Sequence, residues 1–227
     1  MPPTMPDRAA IRVILADDHP VFRHGVADLL AGTGEVEIVA SVDTGATAVQ
    51  AVTELVPDIA ILDLAMPDMN GVTVIRKLVE RGSPSRAIIL SVYESRVYVD
   101  QAFEAGAGGY VLKRSAFLNI VQAVQAVRSG GTYVDPLLPG HGVRHGRVVA
   151  VPSDEAQNSI TARESEILRF VAYGYTSKEI AGRVGVTSKA VEAQKARACC
   201  RLGINSRAQI VQFAILQGWL QGEMTLR

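Results

Sequence analysis

The chain is predicted to join an α/β unit, built on a doubly wound parallel sheet, to a smaller all-α unit of four helices. Three observations carry this expectation. Strand-like and helix-like segments alternate five times over residues 11–130, the stretch from residue 131 loses both periods, and the pattern after residue 159 is purely helical.

Composition frames the rest. A chain of 227 residues that is 48% hydrophobic and 20% charged suits one large or two small globular domains. Its apolar runs fall far short of the roughly 20 residues that span a bilayer, and the opening MPPTMPDRAA has no apolar core for a signal peptide. A cytoplasmic location without membrane association is expected. Cys199 and Cys200 are adjacent and supply neither a disulfide framework nor a metal spacing. Net charge is zero overall, yet residues 1–134 hold 11 Lys and Arg against 15 Asp and Glu, whereas residues 153–227 hold 10 against 7. The second part is therefore the one suited to a polyanion.

Five segments read as strands: IRVILA (11–16), VEIVASV (36–42), DIAILDL (58–64), RAIILSV (86–92) and GYVLK (109–113). Each is a continuous apolar run, as expected of a strand buried on both faces. The intervening VFRHGVADLLA, GATAVQAVTELV, GVTVIRKLVERG and RVYVDQAFEAG, and the closing AFLNIVQAVQAVRSGG, have helical spacing. In such a sheet ligands bind beyond the carboxyl ends of the strands. That is where Asp17, Asp18, Asp63, Ser91 and Lys113 fall. Three carboxylates there repel one another and call for a hard cation with oxygen ligands, which is Mg²⁺ chemistry. A carboxylate beside such an ion, with a lysine ammonium opposite, can attack a phosphoryl donor as a nucleophile. His19, just past the acidic pair, reads as a helix-entry residue, and Met66 and Met69, flanking Pro67, read as packing.

ADDHP, LDLAMPDMNG (62–71) and the strand ends at Ser91 and Lys113 resemble, over residues 11–130, the receiver domain of bacterial two-component response regulators. The resemblance implies a flavodoxin-like sheet of five strands in the order 2-1-3-4-5. It implies Asp63 as phosphoacceptor, and Mg²⁺ held by Asp17, Asp18, Asp63 and the backbone carbonyl of Ala65. Lys113 and Ser91 would bind the phosphoryl group, with Tyr110 as the aromatic switch that follows Ser91. Two positions depart from the family: Val92 stands where a small residue is usual and Arg114 where proline is usual. Both bear on the rate of phosphorylation, and they keep open an alternative in which the receiver is a phosphorylation-independent protein-interaction module. An aspartyl-nucleophile phosphatase is disfavoured, because its first strand ends DxD and this one ends DDH.

The stretch GTYVDPLLPGHGVRHGRVVAVPSDEAQNS (131–159) gathers Pro, Gly and polar residues and reads as a linker. His141 and His145 within it lack acidic or cysteine partners for a metal. The expected division is a receiver at 8–130, a linker at 131–158 and a DNA-binding domain at 159–227.

Beyond the linker, Thr161 to Glu164 and Thr176 to Glu179 are capping boxes. Gly185 makes a turn, Thr187 caps a longer helix, SKAVEAQKARACCRL, ending at Gly203, and Asn205 or Ser206 caps RAQIVQFAILQGWL. A short helix, a glycine turn and a longer helix make a helix-turn-helix whose second member enters the DNA major groove. Val191, Ala198 and Leu202 form its buried stripe. Thr187, Ser188, Lys189, Glu192, Ala193, Gln194, Lys195, Ala196 and Arg197 are the candidate DNA-contact set. Lys and Arg suit phosphates, Glu192 a cytosine amino group and Gln194 an adenine. Cys199 is expected to pack partly against the bundle and Cys200 to be exposed.

Residues 159–220 resemble the LuxR-type helix-turn-helix domain of the NarL/FixJ class through T-x-R-E, G-x-(S/T)-x-K-E-I-A and R-L-G-I-x-S-R. Ala190, Glu192 and Gln194 replace the usual threonine, lysine and histidine. Together the two resemblances imply a DNA-binding transcriptional response regulator. It would be phosphorylated by a sensor histidine kinase or a small phosphodonor, bind double-stranded promoter DNA, and form homodimers on phosphorylation or DNA binding. Catalysis would be limited to self-phosphorylation and slow autodephosphorylation.

Overall fold

The computed structural model describes residues 10–138, 160–202, 204 and 206–220, and the backbone of 141–144 and 147–150. The chain divides into two compact units, the first holding the sheet and the second the C-terminal helices.

In the first unit β1 (Ile11–Ala16), β2 (Val36–Val42), β3 (Ile59–Asp63), β4 (Arg86–Ser91) and β5 (Gly109–Leu112) alternate with α1 (Pro20–Ala31), α2 (Gly45–Leu55), α3 (Gly71–Glu80), α4 (Arg96–Glu104) and α5 (Ala116–Arg128). The parallel sheet has the order β2-β1-β3-β4-β5-β6, the last strand being Tyr133–Val134. The first five strands follow the expected order, and the count of five is corrected to six. β6 lies inside the segment expected to be linker. Its tyrosine and β-branched valine pair with Gly109 and Tyr110 along the outer edge of β5. A second correction concerns β2, which is half exposed and not buried on both faces, because it forms the opposite edge of the sheet. β7 (His141–Arg144) and β8 (Arg147–Ala150) form a separate antiparallel pair within the same predicted linker. His145 lies outside the described residues.

Alternate strand residues face opposite ways. Val13, Leu15, Ile59 and Ile61 pack under Val26 and Leu30 of α1 and Ile120, Val124 and Val127 of α5. The intervening Ile14, Ala60, Leu62 and Ile89 are fully buried on the face away from that cluster. Helix α2 begins where Asp68 accepts hydrogen bonds from the Gly45 and Ala46 amides, both at 2.8 Å, and α3 begins where Asn70 accepts from the Thr73 amide at 2.7 Å. A Cβ on Gly71 would lie 2.5 Å from the carbonyl oxygen of Asp63, so only glycine lets α3 start against the end of β3.

The second unit comprises α6 (Ala162–Ala172), α7 (Ser177–Val184), α8 (Ser188–Leu202) and α9 (Arg207–Leu216). Both expected capping boxes form, and Ser206 with Gln209 makes a third. Gly185 takes φ 68°, the left-handed conformation that turns α7 into α8. The Thr187 hydroxyl caps α8 by accepting from the Ala190 amide at 3.2 Å. Val191, Ala198 and Leu202 are buried as expected and join Ile167, Leu168, Ile180, Ile210 and Phe213 in the core. Helix α9 stops at Leu216, short of the expected residue 220, and Gly218 takes φ 70° beyond it. Gly203 and Asn205 lie outside the described residues.

Candidate functional site

The carboxyl ends of β1, β3, β4 and β5 bring Asp17, Asp63, Ser91 and Lys113 together, as the strand pattern requires. Asp17 and Asp63 are buried, and the ammonium of Lys113 bridges them, 2.7 Å from Asp17 Oδ2 and 2.8 Å from Asp63 Oδ2. The same ammonium lies 5.0 Å from the ring centre of Phe22, on α1. Burial raises the Asp63 carboxyl above its ordinary value. Lys113 opposes the rise through its charge and hydrogen bond, the nearby Asp17 charge adds to it, and the Ala65 amide opposes it.

Asp18 is half-buried at the rim. His19 occupies the N-cap position of α1, as expected of a helix-entry residue, and its amide donates to Asp17 Oδ1 at 2.8 Å. Its imidazole also reaches into the cluster, Nδ1 lying 2.6 Å from Asp18 Oδ1. Donor atoms of Asp17, Asp18, His19 and Asp63 lie within 4.8 Å of one another. Ligands on opposite sides of a hard cation such as Mg²⁺ are about 4.2 Å apart, so a few tenths of an ångström of closure suffices. Asp17 Oδ2 and Asp18 Oδ1 are buried and accept no hydrogen bond from protein. Among the described residues they are approached by the Lys113 ammonium, 2.7 Å from Asp17 Oδ2, and by the His19 imidazole at Asp18 Oδ1. The donor set therefore fits a divalent cation. Ala65 sits beside this cluster, its amide donating to Asp63 Oδ1 at 3.2 Å.

Ser91 and Tyr110 are linked through one residue, Tyr93. The Tyr93 amide donates to Ser91 Oγ at 2.9 Å, and the Tyr110 hydroxyl donates to the Tyr93 carbonyl at 2.9 Å. Tyr110 is fully buried, which raises its phenol pKa. Val92 is 63% exposed and Arg114 pairs at the surface with Glu94 at 3.1 Å. Met66 is buried and Met69 half-buried, consistent with packing.

On α8, Ser188, Lys189, Glu192, Ala193, Ala196 and Arg197 are exposed along one side, with Thr187 exposed just before the helix. Gln194 and Lys195 are half-buried at its margins. Glu192 is tied within the unit, accepting from Ser177 Oγ and pairing with Lys195 at 2.6 Å. Cys199 is half-buried and Cys200 exposed, as expected.

Sequence reasoning missed Asp135, the buried carboxylate after β6, and the pairing of buried Glu164 with Arg201 at 2.5 Å. Glu164 was visible only as a capping residue, and a partner 37 positions away leaves no local pattern. Burial would raise the Glu164 carboxyl, but hydrogen bonds from Thr161 and the charges of Arg201 and Arg197 hold it below its ordinary 4.5. A carboxyl depressed in the fold contributes its full stabilisation above the unfolded value and loses it as pH falls through the folded one. Glu164→Gln should therefore lower the stability of this unit by about 2 kcal/mol at pH 7, with a smaller difference at acid pH. Urea unfolding at pH 7 and below pH 4 measures both; an equal loss at the two pH values contradicts the assignment.

Residues 13–125 match the family of response regulator receiver domains, and residues 158–214 match the luxR family of bacterial regulatory proteins. The oxygen regulatory protein NreC of Staphylococcus epidermidis is 34% identical over 218 residues, covering 93% of this chain and 100% of NreC. The signal receiver domain of NarL from Mycobacterium tuberculosis superposes with a TM-score of 0.52 at 37% identity, covering 53% of this chain and 98% of that one. A structure of two RcsB dimers bound to two parallel DNAs shares the fold, with a TM-score of 0.73 at 22% identity, covering 91% of this chain and 98% of that one.

Proposed function

The chain is a DNA-binding transcriptional response regulator, belonging to the NarL/FixJ-type family that joins a receiver to a luxR-type DNA-binding domain, and we propose that phosphorylation of Asp63 controls it. The observation that carries this is the buried pair Asp17 and Asp63 bridged by Lys113 at the carboxyl end of the sheet. Asp17, Asp18, Asp63 and the Ala65 carbonyl would hold Mg²⁺, which when bound neutralises charge on the phosphoryl oxygens.

An Asp63 carboxylate oxygen attacks phosphorus of a sensor kinase phosphohistidine or a small acyl phosphate. A bond from that oxygen to phosphorus forms, the donor's P–N or P–O bond breaks, and its electron pair leaves on imidazole or carboxylate. The Lys113 ammonium follows the developing charge away from Asp63. The Ser91 hydroxyl donates to a phosphoryl oxygen, and the shift of Ser91 that this requires is felt through Tyr93, whose amide Ser91 accepts, at Tyr110, whose hydroxyl is held by the same residue. Water later attacks phosphorus of the acyl phosphate, the bond from Asp63 oxygen to phosphorus breaks, and inorganic phosphate leaves with the carboxylate restored, so the chemistry is self-phosphorylation and slow autodephosphorylation within a family of regulators.

We assign residues 187–189, 192–197 of the second unit to promoter DNA, residues 131–158 largely to connection between domains, and the site of action to the cytoplasm. Among the described residues no helix is long and apolar enough to cross a membrane. Phosphorylation favours homodimers on paired half-sites.

The test is intact mass after incubation with acetyl phosphate and Mg²⁺, with the same samples titrated against promoter DNA at fixed salt. One phosphoryl increment and tighter DNA binding are expected. An increment that leaves DNA affinity and oligomeric state unchanged would instead identify the receiver as a phosphorylation-independent interaction module, the reading that Val92 and Arg114 keep open.

A further inference from the structure

Lys113 opens a single 3₁₀ turn, Lys113–Ser115, between β5 and α5. Its neighbour Arg114 brings no ring to stiffen the backbone, and the Arg114 side chain is 55% exposed and paired outward to Glu94. Something else must fix the direction of the lysine. Asp135, 1% exposed, lies directly behind the turn. One of its oxygens, Oδ2, accepts from the Leu112 amide at 3.0 Å, the Ser115 hydroxyl at 2.5 Å and the Asn119 amide nitrogen at 3.2 Å. The other, Oδ1, accepts from the Leu137 amide at 3.0 Å, and the Asp135 amide donates to the Tyr110 carbonyl at 2.9 Å. Leu112 precedes Lys113 and Ser115 ends its turn. A single charged atom therefore holds the Leu112 backbone amide on one side of the lysine and the Ser115 side-chain hydroxyl on the other, through hydrogen bonds that a carboxylate strengthens.

We propose that Asp135 is a positioning residue for phosphoryl transfer: through the Leu112 amide and the Ser115 hydroxyl it holds the turn that aims Lys113 at Asp17 and Asp63. The proposal rests on the reading of Asp63 as phosphoacceptor. It gives β6 a task beyond closing the sheet, because β6 is what carries Asp135 to the turn. Catalytic geometry tolerates little error, and a displacement of about 1 Å can cost a hundredfold in rate.

The experiment uses the full chain as wild type, Asp135→Ala, Asp135→Asn and Val36→Ala, the last a core truncation on the opposite edge strand that controls for general loosening. Trace acetylation with acetic anhydride, read by peptide mass spectrometry, reports the reactivity of Lys113 relative to the exposed Lys178 and Lys189. Asp135→Ala should raise the Lys113 ratio about tenfold, Asp135→Asn, which keeps an acceptor but loses the charge, about threefold, and Val36→Ala not at all. Initial rates of phosphoryl adduct formation from acetyl phosphate should fall in the same order, by about tenfold and threefold. The proposal is overturned if Lys113 reactivity rises no more in the Asp135 variants than in Val36→Ala, or if the rate is unchanged while reactivity rises. Should Asp135→Ala fail to fold, the isosteric asparagine decides. A wild type that acquires no adduct defeats the phosphoacceptor reading itself, and the transfer role with it; the acetylation ratio then still decides whether Asp135 holds Lys113.

Discussion

Asp63→Asn should abolish the phosphoryl adduct while leaving the protein folded. Asparagine keeps the shape of the side chain and an oxygen for Lys113 but has no carboxylate to form the acyl phosphate. Loss of one of two buried negative charges also relieves the repulsion that helps raise Asp63, so thermal stability without Mg²⁺ should be unchanged or higher. That sign separates lost chemistry from lost structure. Wild type treated with acetyl phosphate and Mg²⁺ should bind promoter DNA about tenfold more tightly, the size of an ordinary coupling free energy, and the variant should stay at the untreated affinity. Intact mass, calorimetry and DNA titration on the same samples measure all three. A residual adduct in the variant would place the phosphoacceptor elsewhere.

Lys113→Ala should be the most destabilising change in the pocket. Its ammonium is the shared counter-charge of Asp17 and Asp63, whose side chains are 0% and 3% exposed. Breaking a buried pair by removing one partner costs about 3 to 5 kcal/mol, and here the remaining carboxylates also face each other. The loss should depend on pH in a definite direction. Asp63 already has a raised pKa in the fold, and losing the lysine raises it further. A raised carboxyl stabilises the fold below its unfolded value of 3.8 and ceases to do so as pH rises through the folded value. The variant should thus be weakest at neutral pH and recover as the solution is acidified. Saturating Mg²⁺ should restore part of the loss, about 2.7 kcal/mol at a hundred times its dissociation constant. Urea unfolding at pH 7 and pH 5, with and without Mg²⁺, measures this. A loss below about 1 kcal/mol at both pH values would mean that the pocket is wetter than its burial implies.

The strand ends were legible because each closes a run of Val, Ile and Leu, and the ends of parallel strands collect on one side of a sheet. Asp17, Asp63, Ser91 and Lys113 needed no more than that. The buried stripe of α8 and the capping boxes were legible for a similar reason, being periodic or short-range. Asp135 was not. The strand before it is two residues long, it follows Gly130 and Gly131 and precedes Pro136, and the partners of its Oδ2 lie 16 to 23 positions away. The pair of an aromatic and a β-branched residue at 133 and 134 was the only signal, and it was outweighed by the surrounding glycines and prolines. The half-exposed β2 was also misread, since an apolar run does not say whether a strand has a neighbour on one side or two. His19 was legible as a helix entry, whereas its approach to Asp18 depends on a rotamer that no spacing encodes.

The two-residue strand at the sheet margin has a consequence for how the receiver can be separated from the rest of the chain. A fragment ending at residue 130, where helical periodicity stops, would strip β5 of its neighbour and leave its amides and carbonyls open to another molecule. It would also remove the carboxylate behind the Lys113 turn. Such a fragment would aggregate more readily and accept phosphate more slowly than its parent, and both faults would be charged to the missing DNA-binding domain. Extending the cut past Leu138, which is buried, keeps the edge sealed, so any change that remains then reports on the domain that was removed.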